Sequence, residues 1–400
     1  MPARILIYGA TGYTGTLIAR HAKDRGLCPI LAARHPAKLK SLAESLGFAY
    51  RVVQLEDANR LAEALGDIHV VLNVAGPFSA TSAPMVDACL RTFTHYLDIT
   101  GEVPVFEDLY RRDAEARSRR LMIMPGVGFI VVPSDCLAAH VARKLPRAQH
   151  LAIGISRSTL LSRGSVKTII ELWRDTVRVR RHGAMVSVPI GHWEREFDYG
   201  RGPRVSAAVS WGDLFTAFQT TRIPNIEVYH EVSPAERAAF RLSRYLGPLL
   251  ESAAWRRLLE MQTDLLPDGP SGPERGADRR VIVAEAEDDS GNRVRSRLAT
   301  PDAYSFTAVT ALTVVERVLN DHLASGFQTP GRVYGPGFVL TCEGAVRENV
   351  EAPTATQATA GTQFPIRHER AAKRAVVRHP YSLSGRHIVR LAALTEARSL

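Results

Sequence analysis

Cysteine is scarce in this chain. Four occur in 400 residues (Cys28, Cys89, Cys136 and Cys342), and no two form a C-x-x-C pair. Scattered thiols supply neither a disulfide framework nor a thiolate metal site, so no metal is expected, and they suit a reducing, cytoplasmic compartment. The sequence has no N-x-[ST] acceptor and no apolar run of 18 residues, which excludes a conventional membrane-spanning helix. The first residues already read as a core strand, so no secretory signal is expected. Net charge is +10, yet no zinc-finger, basic-zipper or RNA-binding signature accompanies it, and nucleic acid is not an expected partner. The positive balance instead suits a phosphate-rich cofactor, an acidic carrier protein or an anionic membrane surface.

What the sequence does contain begins at its N-terminus. Arg4-Ile-Leu-Ile-Tyr8 reads as a short buried strand, Gly9-Ala-Thr-Gly-Tyr-Thr-Gly15 as a turn, and Thr16 onward as a helix. Strand, glycine turn and helix N-terminus together are the physical recipe for holding a pyrophosphate: glycines admit close backbone approach, and the helix offers unpaired N–H groups and a partial positive charge. Gly9, Thr11, Gly12, Tyr13, Thr14 and Gly15 are therefore expected to line a dinucleotide. The next apolar run, 29–33, ends at Arg34, 19 positions after Gly15. An NAD-specific site carries an acid here for the ribose 2′-OH. A cation suits a 2′-phosphate instead, with Lys38 one helical turn further on as a second one. NADP(H) is the preferred reading and NAD(H) the alternative.

Helices and strands alternate through the first third. Helices are expected at 36–46, 57–65, 80–92 and 103–119, with strands at 48–55, 68–73, 95–99 and 121–124. Six strands with crossover helices make an α/β, doubly wound parallel sheet, whose ligands bind beyond the carboxyl ends of the strands. Two of those ends stand out. Asn73-Val-Ala-Gly-Pro-Phe78 places Ala75, Gly76 and Pro77 beside the nicotinamide half. Tyr96-Leu-Asp-Ile-Thr-Gly-Glu102 places a phenol, two carboxylates and a hydroxyl together, with Tyr96 and Asp98 on one side by strand alternation. Asp98 reads equally as a turn former, and Glu102 as a first-turn acid facing a helix dipole.

From Ser134, a candidate cap for a helix at 135–145, the pattern becomes α+β. Strands are expected at 151–156, 185–190, 193–199 and 205–209, a helix at 166–182, and a hairpin of 279–288 with 292–298. A helix at 302–323 carries Ala308, Ala311, Leu312, Val315 and Leu319 at core spacing. It should return to the first domain near the cofactor, bringing Tyr304 and Thr307. The basic, amphipathic stretch 236–262 reads either as a helix packed on its own domain or as one lying on a membrane surface. Residues 351–400 hold eight Lys/Arg against three Glu and little to bury, and are expected to be a disordered basic tail. The divisions read from the sequence are 1–134, 135–300, 301–350 and 351–400.

With these residues laid out, the chain resembles the saccharopine dehydrogenase-like oxidoreductases over 3–348, in particular the bacterial branch that includes the mycobacterial trans-acting enoyl reductases. The resemblance rests on the three N-terminal motifs above, on Pro125-Gly-Val-Gly-Phe129 with Pro133-Ser-Asp135, and on Trp211-Gly-Asp213 and Thr300-Pro-Asp-Ala-Tyr304. It implies an N-terminal Rossmann domain, a second α+β domain of mixed sheet, late helices returning to the first, and NAD(P)-dependent oxidoreduction. The glycine loop, Arg34 and Ala75-Gly-Pro77 would line the cofactor. Relatives tend to carry an acid within 129–131, where this chain has Phe129-Ile-Val131, and Ala303 replaces a common Gly.

Reduction of an enoyl group needs a hydride facing the β-carbon, a donor for the carbonyl oxygen and an acid for the α-carbon. Tyr96 and Tyr304 are candidates for the last two roles, with Glu102 or Asp98 orienting them. The substrate would be lipid-like, small or presented on a carrier, in lipid or glycolipid biosynthesis. A homodimer and a peripheral contact at the inner face of the plasma membrane through 236–262 are compatible with that. Two other uses stay open. One is a saccharopine-type imine or amino-acid reductase, which would need cations such as Arg157, Arg163, Arg174 or Arg222 for a bis-carboxylate. The other is a non-catalytic NADP(H)-binding sensor or lipid-associated protein.

Overall fold

A computed structural model describes residues 4–158, 162, 163, 176–238, 240 and 268–350. Most of the basic stretch 236–262 and all of 351–400 lie outside the described residues. The first third winds through β1 (Ile5–Tyr8), α1 (Tyr13–Asp24), β2 (Ile30–Ala33), α2 (Pro36–Leu46), β3 (Tyr50–Val52), α3 (Ala58–Leu65), β4 (Val70–Asn73), α4 (Phe78–Thr92), β5 (His95–Asp98), α5 (Val103–Tyr110), α6 (Asp113–Ser118) and β6 (Met122–Met124). The strands are short and almost wholly apolar because helices cover both faces, and β1, β4 and β5 are buried along their whole length. All pairings are parallel, in the order β3-β2-β1-β4-β5-β6. The winding reverses between β1 and β4, which is where such sheets bind ligands.

Two expectations need correction here. The helix expected at 103–119 breaks at Arg111-Arg112. Arg112 leaves helical geometry and pairs with Asp87 and Glu115. The break turns Asp113 toward a seventh strand, β15 (Gly326–Phe327), where it accepts from the Phe327 N–H at 2.7 Å. β15 adds in parallel to β6. Two residues are too few to show a period, and the strand returns from 200 residues downstream.

The second sheet comprises β7 (His150–Ile155), β8 (Thr176–Arg181), β9 (Ala184–Pro189), β10 (Glu194–Asp198), β11 (Pro203–Ala208), β12 (Asn225–Glu231), β13 (Arg279–Glu287), β14 (Arg293–Pro301) and β16 (Val346–Val350). Its main path is β10-β11-β12-β7-β13-β14-β16, with β8 on β12 and β9 on β8. Only β12 and β7 run parallel among these pairings. The helix expected at 166–182 is contradicted over its last turns. Thr176–Arg181 is a strand with Val177 and Val179 buried on alternate positions, and His182 and Gly183, both at positive φ, turn it into β9. The rest of that stretch is outside the described residues. The sequence reading also missed α8 (Asp213–Thr221) and β12. Ser134 does not cap its helix, because α7 (Val132–Lys144) begins two residues earlier with Pro133 in its first turn.

A short helix, α9 (Gly272–Ala277), precedes β13, and between the sheets lie α7 and α10 (Ala303–Leu319). One apolar core runs from Ile18 and Leu72 in the first domain through Leu312 and Val315 to Ile153 and Ile282 in the second sheet. Burying each large side chain here stabilises by roughly 2 kcal/mol, so α10 ties the domains together. Arg25, next after α1, donates to Thr313 and Glu316 of α10 and fixes that packing from outside.

Candidate active site

The glycine turn shows what each glycine is for. Gly9 has φ +86°, and a Cβ there would lie 2.7 Å from the Ala75 N. A Cβ on Gly15 would sit 2.9 Å from the Ala10 Cα and clash with the Gly9 oxygen. These two let β1, the β4 loop and α1 meet backbone to backbone. Gly12 differs: its nearest obstacle would be the Gly9 oxygen at 3.4 Å, and it is exposed. Protein packing does not require glycine at 12, whereas a ligand approaching from outside would. Gly12 is the N-cap of α1, with no side-chain cap and no acid in the first turn, so the amides of Tyr13, Thr14 and Gly15 have no internal acceptor and their partial charge is not neutralised.

Arg34 stands just beyond β2 and Lys38 in the first turn of α2. Both are exposed, and neither has a hydrogen bond or ion pair among the described residues. Arg34 reaches the field of Tyr8, whose phenol burial pushes up to about 12 and Arg34 draws partly back. Two uncommitted cations at this edge fit a 2′-phosphate.

The acidic strand end is a buried hydrogen-bond network. Tyr96 is fully buried and donates to Asp98 Oδ2 at 2.8 Å. The other carboxylate oxygen of Asp98 accepts from the N–H groups of Thr100 and Gly126, both at 2.9 Å. Burial nevertheless pushes Asp98 up to about 7. Glu102, also buried, accepts from the Phe78 and Ser79 N–H groups at 2.9 Å each, capping α4 from a different loop. Asn73 completes the scaffold: its Oδ1 accepts from the Ala75 N–H, and its amide donates to Thr81 and Tyr96. Asp98 thus holds Tyr96, the orienting contact expected of it, and together with Glu102 it staples the β4, β5 and β6 loops together. The Ala75-Gly76-Pro77 segment, with a cis Gly76–Pro77 bond, rides on this scaffold.

Tyr304, the fourth candidate, is placed differently. It sits in the first turn of α10, held by the Asp302 cap, and its oxygen accepts from the Ser162 N–H at 2.5 Å. Its ring meets Tyr13 edge-on at 5.2 Å. Tyr13 is itself clamped by the second domain: its hydroxyl donates to Pro270 O at 2.5 Å and accepts from Arg275 at 2.7 Å. The glycine turn and the returning helix therefore share one wall.

Further residues gather at the ends of β5 and β6, and of these the sequence reading did not select His230 or Arg280. The Phe129 N–H donates to Thr307 Oγ1 at 3.0 Å, which docks α10 against the β6 loop, as expected of that helix. Trp211 pairs with Glu102 through an isolated bridge and meets the His230 ring at 5.1 Å. Burial, and then the Arg280 charge, press His230 down to about 4, so it is a neutral imidazole. The Arg280 guanidinium lies 5.5 Å from the Phe129 ring centre. One signal could have revealed Arg280: it occupies the apolar phase of β13, in step with Ile282, Ala284 and Ala286. Pro133-Ser-Asp135 and Trp211-Gly-Asp213 also meet, with Ser134 donating to Asp213 and Thr220 to Asp135, but they meet inside the core between α7 and α8. No group of three or more His, Cys, Asp or Glu able to hold a metal occurs among the described residues.

Comparison with known proteins agrees with this geometry. Residues 5–124 match the family model of the saccharopine dehydrogenase NADP binding domain. A trans-acting enoyl reductase of Mycobacterium tuberculosis H37Rv is 33% identical over 404 residues, covering 85% of this chain and 96% of the relative. The chain belongs to the trans-acting enoyl reductase family. The enzyme of that name from Mycobacterium ulcerans is 31% identical over 150 residues, and this match covers 35% of each chain. The fold extends further: apo saccharopine dehydrogenase (L-Glu forming) of Saccharomyces cerevisiae superposes with a TM-score of 0.59 at 13% identity, over 87% of this chain and all of that one. By family the protein is an NAD(P)-dependent oxidoreductase with a saccharopine dehydrogenase-type architecture. No helix among the described residues is long and apolar enough to cross a membrane.

Proposed function

We propose that this protein uses NADPH to reduce a carbon–carbon double bond conjugated to a carbonyl in a lipid-like acyl substrate. The carrying observation is the pairing of an uncapped glycine turn, open at Gly12, with two uncommitted cations, Arg34 and Lys38, at the 2′ edge. Enoyl reduction itself is supported by the names of the relatives. When bound, the dinucleotide would supply the hydride and leave oxidised. Amides of Tyr13, Thr14 and Gly15 hold the pyrophosphate, and Ala75-Gly76-Pro77 lies along the nicotinamide half. Tyr304 protonates the α-carbon, its oxygen fixed by the Ser162 amide. Phe129, Ile130 and Trp211 offer the apolar wall an acyl chain needs. Presentation on a carrier, a role in lipid or glycolipid assembly, a homodimer, and a cytoplasmic location with peripheral membrane contact through 236–262 complete the reading.

The test is loss of reduced-nicotinamide absorbance with trans-2-enoyl thioesters of graded chain length, run beside oxo acids with amines. Turnover of longer enoyl thioesters, with NADPH preferred over NADH, is the expected result. Turnover confined to the oxo acid and amine pairs, or cofactor binding without any turnover, would sink it.

A further inference from the structure

Buried and half-buried arginines on the second sheet are almost all committed. Arg195 and Arg295 pair with Glu285, Arg181 pairs with Glu227, and Arg180 donates to the carbonyl oxygens of Leu214 and Gly183. Arg280 is the exception. It is 4% exposed, and its Nε and Nη1 find no hydrogen-bond partner. The carboxylates nearest in its field are taken: Glu231 by the Arg157 N–H and Arg201, and Asp278 by Ser158. A buried guanidinium without an acceptor costs several kcal/mol. Such a group calls for an acceptor from outside the chain, and a ligand at the site is one that would complete it.

Its position says which ligand. His230, Ile155 and Ile282 stand side by side across β12, β7 and β13. Arg280 lies two residues further along β13 on the same face, over Phe129 at the carboxyl end of β6. That face is largely apolar, with Ile155, Ile153, Val228, Ile282 and Ala284; besides Arg280 and the neutral His230 it carries Thr300 and Ser296 of β14 and the committed Arg180 of β8. We propose that Arg280 is the anion-holding group of the substrate site, taking the charge that develops on the substrate's carbonyl oxygen. This deepens the enoyl-reductase reading and rests on it. As the β-carbon gains a hydride from the reduced nicotinamide, the double-bond pair becomes the bond between the α-carbon and the carbonyl carbon. The carbonyl pair moves onto oxygen, giving an enolate beside Arg280. Protonation of the α-carbon then restores the carbonyl, leaving a saturated acyl group and oxidised cofactor. Phe129 supports the guanidinium by cation–π contact, and the low-dielectric surroundings strengthen the attraction to an oxyanion.

The experiment uses the full chain with NADP+ present and hexanoate, an alkyl carboxylate that imitates the enolate without reacting. Isothermal titration should show hexanoate binding to wild type. The affinity should weaken at least about tenfold in Arg280→Met and recover in part in Arg280→Lys, with NADPH affinity unchanged in both. Where an enoyl thioester is turned over, Arg280→Met should lower kcat about 100-fold with a smaller change in KM. Equal hexanoate binding by wild type and Arg280→Met, no hexanoate binding at all, or undiminished turnover in that variant overturns the inference and leaves the enoyl reading standing. Arg280-dependent hexanoate binding without enoyl turnover by wild type does the reverse: it keeps the anion site and removes the enoyl reading. Met matches the apolar stem of Arg, so misfolding of the variant is not expected, and a thermal melt checks it.

Discussion

Replacing Arg280 with Met should make the protein more stable. Burial presses the guanidinium from 12.5 down to about 10, which corresponds to a cost of roughly 3 kcal/mol for keeping it charged in the folded state. Because the folded value is depressed, the cost is fully present below about pH 10 and fades only above it, so a melt at neutral pH reads all of it. Met removes the charge, retains most of the apolar volume, and leaves no carboxylate behind, because none is paired with Arg280. The cation–π contact with Phe129 is lost, worth about 1 kcal/mol. The net gain of roughly 2 kcal/mol should raise Tm by roughly 2–3 °C in a chain of this length. Differential scanning calorimetry of wild type and Arg280→Met, with and without hexanoate, is the assay. Ligand should stabilise only the wild type, narrowing the gap. A lower Tm for the variant would refute the reasoning, because it would mean the guanidinium has an internal partner that holds the fold together.

Three further outcomes separate ligand roles from structural ones. Gly15→Ala should fail to fold normally, since its Cβ has no room beside Ala10, whereas Gly12→Ala should cost no more than about 1 kcal/mol of stability yet weaken NADPH binding roughly tenfold; equal effects in both assays would refute the distinction. Arg34→Ser should raise KM for NADPH roughly ten- to hundredfold, the worth of charge-assisted bonds to a phosphate, and change KM for NADH little; an equal rise for both cofactors would remove Arg34 from the 2′ edge. Asp213, pushed up to about 7 chiefly by burial, holds a proton in the folded chain that it loses when unfolded. Its contribution is therefore full below about pH 4 and is lost as pH rises through 7. Asp213→Asn should flatten this fall in denaturant titrations by roughly 1–3 kcal/mol, with the residual slope left to Asp98 and Asp135; an unchanged slope would refute it.

The first domain was legible because its signals are local. Four-residue apolar strands, glycines at a turn and a helix beginning at once are all read within fifteen residues of one another. The later elements failed where the deciding information is remote. β15 has two residues and exists only because β6 offers an open edge. β8 has the alternation of a strand, but it runs on from an apolar stretch whose spacing also suits a helix, and only the turn at His182-Gly183 and the pairing with β9 decide between them. α5 and α6 share helical spacing throughout, and their break depends on Arg112 pairing with Asp87 of another helix.

The candidate site divides along the same line, and the division carries a chemical lesson. Tyr96, Asp98 and Glu102 were conspicuous because polar groups at a strand end are rare in an apolar sheet. Polarity there has a second use, which is to hold loops. Three strand ends must present backbone to a dinucleotide without shifting, and Asp98, Glu102 and Asn73 accept the loop amides that would otherwise be loose. Their carboxylates and amide hold the loops rigid. In the proposed site the oxyanion partner comes instead from the second sheet, where Arg280 stands near the neutral His230 on a largely apolar face, and the proton comes from Tyr304 of α10. The informative anomaly in the sequence was therefore not a cluster of polar residues but one charge in the wrong phase of a strand. Arg280 at an Ile282-Ala284-Ala286 position has no internal reason to be charged, and a group with no internal reason is the one whose partner must come from outside the chain.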